Sequence, residues 1–294
     1  MKTNTARIAL TVLACSFALL PALAQERALL WSVSGKDLKA PSYVYGTIHM
    51  IGKSDFFMTE ATKKAFANSR RVTFEIDMDD MSDFSKLMPM LSQSFMKKDT
   101  SLQDLLTPED YVAVKKHFEG LGLPMFLVNR IKPLFLTALD PSMMGAPAGR
   151  ETITSYEMEF MEMAQAAKKP VEGLETMAFQ MSIFDSIPYR HQAEMLAATV
   201  RSQNQGEEDS FKKLVQLYKD QDIEGMQRQA SEDPEIAGFE QVLLINRNRN
   251  WIPVMERMMA EKPTFFAVGA GHLGGENGVL QLLKAAGYSV EPIR

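Results

Sequence analysis

Four histidines occur in the 294 residues, and two stand in matching frames, Gly46-Thr47-Ile48-His49-Met50-Ile51-Gly52 and Gly269-Ala270-Gly271-His272-Leu273-Gly274-Gly275. Each frame reads G-x-x-H-x-x-G after an apolar, β-prone run. A composition with 17 Gly and 4 His yields one such frame about 0.01 times by chance, so two are a signal. Each His then lies just past a strand end, where open α/β sheets bind ligands, and glycine lets backbone or ligand come close. A third element is Glu75, in the otherwise apolar strand-like run Val72-Thr73-Phe74-Glu75-Ile76-Asp77. A carboxylate there must face a cation, because burying it unpaired costs several kcal/mol.

Two neutral imidazoles and one carboxylate are a ligand set for zinc, manganese, cobalt or iron, with positions left open for water and substrate. Such a cation activates water and polarises a carbonyl. The same residues support a metal-free chemistry, with one His as general base, Glu75 orienting it and the other His stabilising an oxyanion. His117 and His191 fall on amphipathic helices beside Lys or Arg and read as solvated side chains. The 21 methionines suggest soft ligands for copper, as at Met158, Met161 and Met163 or Met78, Met81, Met88 and Met90. Their helical spacing among Leu, Phe and Ala favours core packing or an adaptable binding surface instead.

The elements that must position these residues form an α/β pattern at both ends of the chain. Ala28 to Val33 and Ser42 to Met50 read as a hairpin, Thr59 to Ala67 as a helix, and Arg71 to Asp77 as a strand. At the other end, Thr264 to Val268 reads as a buried strand, Gly278 to Ala286 as a helix closed by Gly287, and Tyr288 to Pro292 as a last strand. Between them the periodicity predicts helices from Pro108 to about Glu119 and around 124–139, 151–168, 175–186, 190–203, 208–219 and 235–260. One short β-prone piece, Pro170 to Leu174, interrupts them. The expected fold is mixed α/β: a core built from residues 25–80 and 262–294, with a helical cap, residues 81–261, inserted into it.

Residues 1–24 are a separate object. Lys2 and Arg7 precede the apolar run Ile8 to Leu20, Pro21 breaks it, and Ala22-Leu23-Ala24 supplies small residues before a cut ahead of Gln25. A lipoprotein is the competing reading, because Val12-Leu13-Ala14-Cys15 resembles a lipobox. Cys15 is the only cysteine, so cleavage after Ala24 leaves no disulfide, thiolate zinc site or cysteine nucleophile. No later stretch approaches 18 uninterrupted apolar residues, so a soluble, exported, periplasmic or secreted protein of one domain, 25–294, is expected. A net charge of −5 leaves no cationic excess for nucleic-acid binding.

The sequence also resembles the TraB/GumN family, which includes the Tiki proteins. The matching segments are Leu30 to Gly35, Ser42 to His49, Phe74 to Asp77, Arg130 to Pro133, Lys169 to Thr176, Arg247 to Trp251 and Val268 to Leu273. The resemblance implies an α/β core distantly like the erythromycin-esterase and ChaN group, and Tiki relatives are divalent-metal-dependent proteases. It maps the family's active site onto His49, His272 and Glu75. It also points to Glu157, where many relatives carry Asp, as a fourth ligand, a partner of a ligand, or a solvated helix acid. Arg247 and Asn248 match the family's R-N-x-x-W segment, where a guanidinium would bind a substrate carboxylate or developing oxyanion, or simply form a helix salt bridge.

The reading that follows is an exported hydrolase dependent on a divalent cation (Zn, Mn or Co), acting on a peptide or another small amide or ester. The rival is a non-catalytic periplasmic ligand- or metal-binding protein using the same pocket, and turnover beyond one equivalent separates the two.

Overall fold

The structure is a computed structural model that describes residues 27–77, 92–139, 153–205, 209–232 and 238–294. The amino-terminal leader, Cys15, Met78, Met81, Met88 and Met90 lie outside the described residues.

The chain is mixed α/β, as its pattern predicts. Among the described residues eight strands run in chain order: β1 (Leu30–Ser34), β2 (Ser42–Thr47), β3 (Ile51–Gly52), β4 (Arg71–Ile76), β5 (Ile153–Thr154), β6 (Val171–Glu175), β7 (Thr264–Gly269) and β8 (Ser289–Ile293). Six form one sheet in the order β6-β4-β7-β2-β1-β8, and β3 pairs with β5 in a small antiparallel ribbon. From β6 to β2 all pairings are parallel, whereas β1 runs antiparallel to both β2 and β8. β2 is buried at all six positions and β7 at the first five, the near-continuous burial expected of interior parallel strands. Ser32 of β1 lies opposite Tyr43 on one side and Glu291 on the other, so the two ends of the described chain are sewn together at one edge of the sheet.

One core cluster gathers around this sheet. The helix Tyr156–Ala166 buries Tyr156, Phe160 and Ala164, which at i, i+4 and i+8 form one stripe. Phe160 stacks at a tilt on Phe265 of β7, 4.9 Å between centroids, and meets Tyr45 of β2 edge-on at 5.2 Å. The helix Asn246–Glu261 buries Arg247, Asn248, Trp251, Met255, Met258 and Met259 on one face. A second cluster, built from Met96, Leu102, Val114, Phe118, Met125, Val128, Leu136, Ala193, Leu196, Ala197 and Val200, comes from helices except for Met96, which lies in a loop. Residues between 81 and 261 therefore supply both the separate helical cluster and, through β6 and the helices Tyr156–Ala166 and Asn246–Glu261, part of the sheet's own core.

Four local readings change, the first being that the helix expected over 151–168 runs only from Tyr156 to Ala166, after β5. The helix expected over 124–139 is two, Met125–Val128 and Pro133–Leu139, because Pro133 cannot continue a helix but suits the start of one. The piece around Pro170 to Leu174 is β6, a full member of the main sheet, lying beside β4. The segment expected as a helix from 235 begins, among described residues, with a π-helical stretch, Gln241–Ile245, in which the Asn246 N–H reaches back to the Gln241 carbonyl. Such single π-turns recur at functional sites.

Candidate active site

All four parallel strands end on the same side of the sheet, and the chemistry-bearing residues are at those ends. In the β2/β7 pair Gly46 stands opposite Val268 and Thr47 opposite Gly269, so the two G-x-x-H frames run side by side with a stagger of one residue. His49 follows β2 directly, and His272 closes a single 3-10 turn, Ala270–His272, after β7. Glu75 lies at the exit of β4, beside β7. Gly269 is where they meet: a Cβ there would stand 3.2 Å from Glu75 Oε1, 3.7 Å from His272 Cδ2 and 3.8 Å from His49 Nε2. The structure thus brings His49, Glu75 and His272 around one point, which a missing methyl group keeps open.

Behind that point sits Arg247. Its Nε and Nη2 donate to Glu175 Oε1 at 2.9 and 2.6 Å, Nη2 also donates to Glu75 Oε2 at 2.6 Å, and Nη1 donates to the Leu243 carbonyl at 3.1 Å. Nη1 lies 3.2 Å from His272 Nε2 as well. A guanidinium carries five N–H donors, and here all five have partners inside the protein. Asn248 is equally committed. Its Nδ2 donates to the carbonyls of His272 and Asn277 at 3.4 and 2.9 Å, which turns Oδ1 onto His272 Nδ1 at 2.6 Å. An amide oxygen only accepts, so His272 carries its proton on Nδ1 and presents the Nε2 lone pair to Arg247. Neither Arg247 nor Asn248 retains a donor for a substrate in this arrangement; both orient the groups around Gly269.

On the other side, Glu157 backs His49. Ser155 caps the helix Tyr156–Ala166 and so places Glu157 in its first turn, where the helix dipole favours a carboxylate. Glu157 Oε1 accepts from Thr47 Oγ1 at 2.6 Å and lies 3.0 Å from His49 Nδ1, while Oε2 accepts from Ser155 Oγ at 2.7 Å. His49 Nδ1 is therefore the donor to a fixed carboxylate, and Nε2 is left facing Gly269 on a side chain that is 56% exposed.

The two histidines are driven apart electrostatically. The charge of Glu157 is the main influence on His49 and outweighs burial, raising its pKa to about 9. Burial, reinforced by Arg247, lowers that of His272 to about 4. Burial alone would push Glu75 up, but His272, Arg247, His49 and the N–H of Gly269, which donates to Oε1 at 2.8 Å, hold it well below the usual carboxylate range. Glu157 is lowered too, because His49, Thr47 and Ser155 overcome its burial.

Whether a divalent cation suits these residues is a question of donors and charge. Glu75, Glu157 and Glu175 have side chains only 12%, 17% and 5% exposed, and among the described residues Arg247 and a protonated His49 offset two of their three charges. A further positive charge balances that excess. His49 Nε2, His272 Nε2 and an oxygen of Glu75 are donors of the right chemistry, so the set fits. In the present arrangement the Arg247 guanidinium holds the His272 lone pair, and no group of three His, Cys, Asp or Glu among the described residues has ligand geometry.

Glu175 is a further charged residue of this site that residue type and spacing do not single out. It does carry one signal that Glu75 shares, a carboxylate at the end of a β-prone piece. In the sequence that piece stands as a short interruption between helices, with Glu175 at the start of the next one. Gly173 explains how the two acids come together: a Cβ there would lie 2.2 Å from Asp77 N and 2.6 Å from Ile76 C, so only glycine lets the exit of β4 lie against β6.

Comparison with known proteins places this geometry in context. The model of the TraB/PrgY/gumN family matches residues 29–292. The chain is 24% identical over 313 residues to Metalloprotease TIKI1 of Danio rerio, covering 89% of this chain and 62% of that protein. It is 26% identical over 328 residues to Metalloprotease TIKI1 of Homo sapiens, with 92% and 63% covered. With Metalloprotease TIKI2 of Danio rerio the identity is 26% over 319 residues, with 89% and 60% covered. The chain thus spans about three fifths of the length of these relatives. No solved structure matches it at a significant level.

Proposed function

The chain belongs to the TraB/PrgY/gumN family, and from that premise we propose that it is an exported hydrolase, dependent on a divalent cation, that cleaves peptides. The observation that carries this reading is the convergence of His49 Nε2, Glu75 Oε1 and His272 on the open position at Gly269. Relatives named as metalloproteases support the metal and the peptide substrate. No helix among the described residues is long and apolar enough to cross a membrane.

His49, Glu75 and His272 would hold the cation, which supplies Lewis acidity toward a substrate carbonyl. Asn248 keeps the His272 proton on Nδ1, so that the nitrogen turned inward is the one with the lone pair. Glu157 does the same for His49 from the opposite side and fixes its ring. Glu75 is kept ionised by Arg247 and the Gly269 N–H. A second reading uses the same groups without metal. It is favoured by one observation, that the His49 side chain is 56% exposed with a carboxylate behind Nδ1, whereas that of His272 is 6% exposed, which suits proton transfer at His49 Nε2.

The deciding experiment is elemental analysis of purified protein, followed by peptide cleavage before and after chelation. Stoichiometric divalent metal, activity lost to chelator and regained with Zn, Mn or Co, and loss of both metal and turnover in His49→Ala are expected. A metal-free, chelator-resistant enzyme inactivated by His49→Ala would establish the second reading instead. Stoichiometric ligand or metal binding without turnover on peptides, amides or esters would make the protein a binding protein.

A further inference from the structure

We infer that Glu175 is a positioning residue of this centre: it anchors the Arg247 guanidinium so that the remaining N–H groups are aimed at Glu75 and His272. The inference rests on the reading of Glu75 and His272 as working groups, but not on the presence of a metal.

The geometry is that of a rigid fork. Glu175 Oε1 accepts from both Nε and Nη2, which fixes one whole edge of a planar cation. Once that edge is fixed, the directions of the other three N–H bonds follow, and they run to Glu75 Oε2, His272 Nε2 and the Leu243 carbonyl. The second oxygen of Glu175 accepts from Trp251 Nε1 at 3.0 Å, one helical turn beyond Arg247. Trp251 in turn lies with its ring 4.5 Å from that of His272 and 5.0 Å from the Arg247 guanidinium carbon. Glu175 therefore grips the helix Asn246–Glu261 at two successive turns, and both grips touch His272. Without it, Arg247 would keep one carboxylate partner, Glu75, which borders the open side of the site. A guanidinium held by one carboxylate can swing about that contact, whereas one held by two on different edges cannot. Charge gives the same assignment: two buried carboxylates share one guanidinium, so neither is neutralised alone and Glu75 keeps negative charge for whatever binds at Gly269.

The test compares Glu175→Gln, Glu175→Asp and Arg247→Lys in the full chain with 15N-labelled histidine, alongside melting temperature and steady-state turnover. Glu175→Gln is expected to leave the protein folded and to move the His272 Nε2 resonance toward that of an imine nitrogen without a donor, while His117 and His191 stay in place. Glu175→Asp, which keeps the charge, should recover part of that shift. Where a substrate is known, kcat should fall about ten-fold in Glu175→Gln with KM little changed, the pattern of a lost transition-state contact rather than lost binding. Arg247→Lys has no fork, so it should shift His272 in the same way, and adding Glu175→Gln to it should change nothing further. If Glu175→Gln does not fold, the single Arg247→Lys variant against its Glu175→Asp double decides the matter by the same criterion. An unmoved His272 resonance in Glu175→Gln, equal movement of all the histidines, or additive effects with Arg247→Lys would overturn the inference. Failure of the hydrolase reading would show separately, as absent turnover in a wild-type protein whose His272 still responds to Glu175→Gln.

Discussion

At Arg247 the sequence allows either a cation reaching for substrate or one held in a salt bridge, and the structure shows salt bridges to Glu75 and Glu175. With all five donors engaged, Arg247→Met leaves Glu75 and Glu175 buried without their partner. Breaking a buried pair in this way costs about 3 to 5 kcal/mol, so the variant should unfold at markedly lower urea concentration, whatever it does to catalysis. An Arg247→Met protein as stable as wild type would show that the guanidinium is replaceable in the fold. His49 gives the opposite kind of prediction, a local one. In cation-free protein its ring should titrate near pH 9, and Glu157→Gln should bring it back toward the ordinary histidine value of about 6.5, as followed by proton NMR. The histidines and Glu75 were legible from residue type and spacing alone, since few sequences repeat G-x-x-H-x-x-G. The partners were not, because a hydrogen bond between Glu175 and Arg247 joins residues 72 apart and leaves no local pattern.

At the scale of elements, the strands near the two ends of the chain and most helices were legible because their apolar periodicity is strong and many helix caps are ordinary Ser and Thr. β6 was harder to read. Its burial is intermediate at every position but Leu174, so it lacks the continuous apolar run of β2 and β7, and its membership in the sheet depends on Gly173. Two glycines of the sheet should accordingly fail in different ways. Gly173→Ala drives a methyl into the backbone of β4, at 2.2 Å from Asp77 N, and should lower stability and disorder the β4/β6 exit, as read by melting and amide exchange. Gly269→Ala has ordinary backbone angles and meets only side-chain atoms at 3.2 to 3.8 Å. Its fold should survive, while cation binding and turnover are lost because the methyl fills the meeting point. Calorimetry with Zn or Mn that finds unchanged affinity in Gly269→Ala would move the binding position elsewhere.

For the molecule as a whole, the paired histidines predict a stability optimum near neutral pH. His49 has a folded pKa above its unfolded value, so its contribution is complete below about 6.5 and disappears as pH rises through about 9. His272 is shifted the other way, so the folded state loses ground as pH falls from about 6.5 through about 4. Glu75 and Glu157, held low, add to the acid loss once pH drops below the unfolded carboxylate range of about 4. Urea denaturation across pH should show both flanks, and in Glu157→Gln the alkaline one should flatten. A stability profile flat from pH 4 to 9 would contradict the assigned protonation states.

The strand order has a consequence for how the chain is made. β7 separates β4 from β2 in the middle of the sheet, yet it is encoded at Thr264–Gly269, and β8, which seals the edge against β1, comes later still. Until those residues leave the ribosome, the earlier strands have no central neighbour to pair with, and the pairings that must then form join the two ends of the sequence. Such distant pairings close slowly. The β1/β2 hairpin, the β4/β6 pair and the helical cluster can form before that point, but the sheet that joins them, and with it the meeting point at Gly269, is completed only when nearly the whole chain has been made.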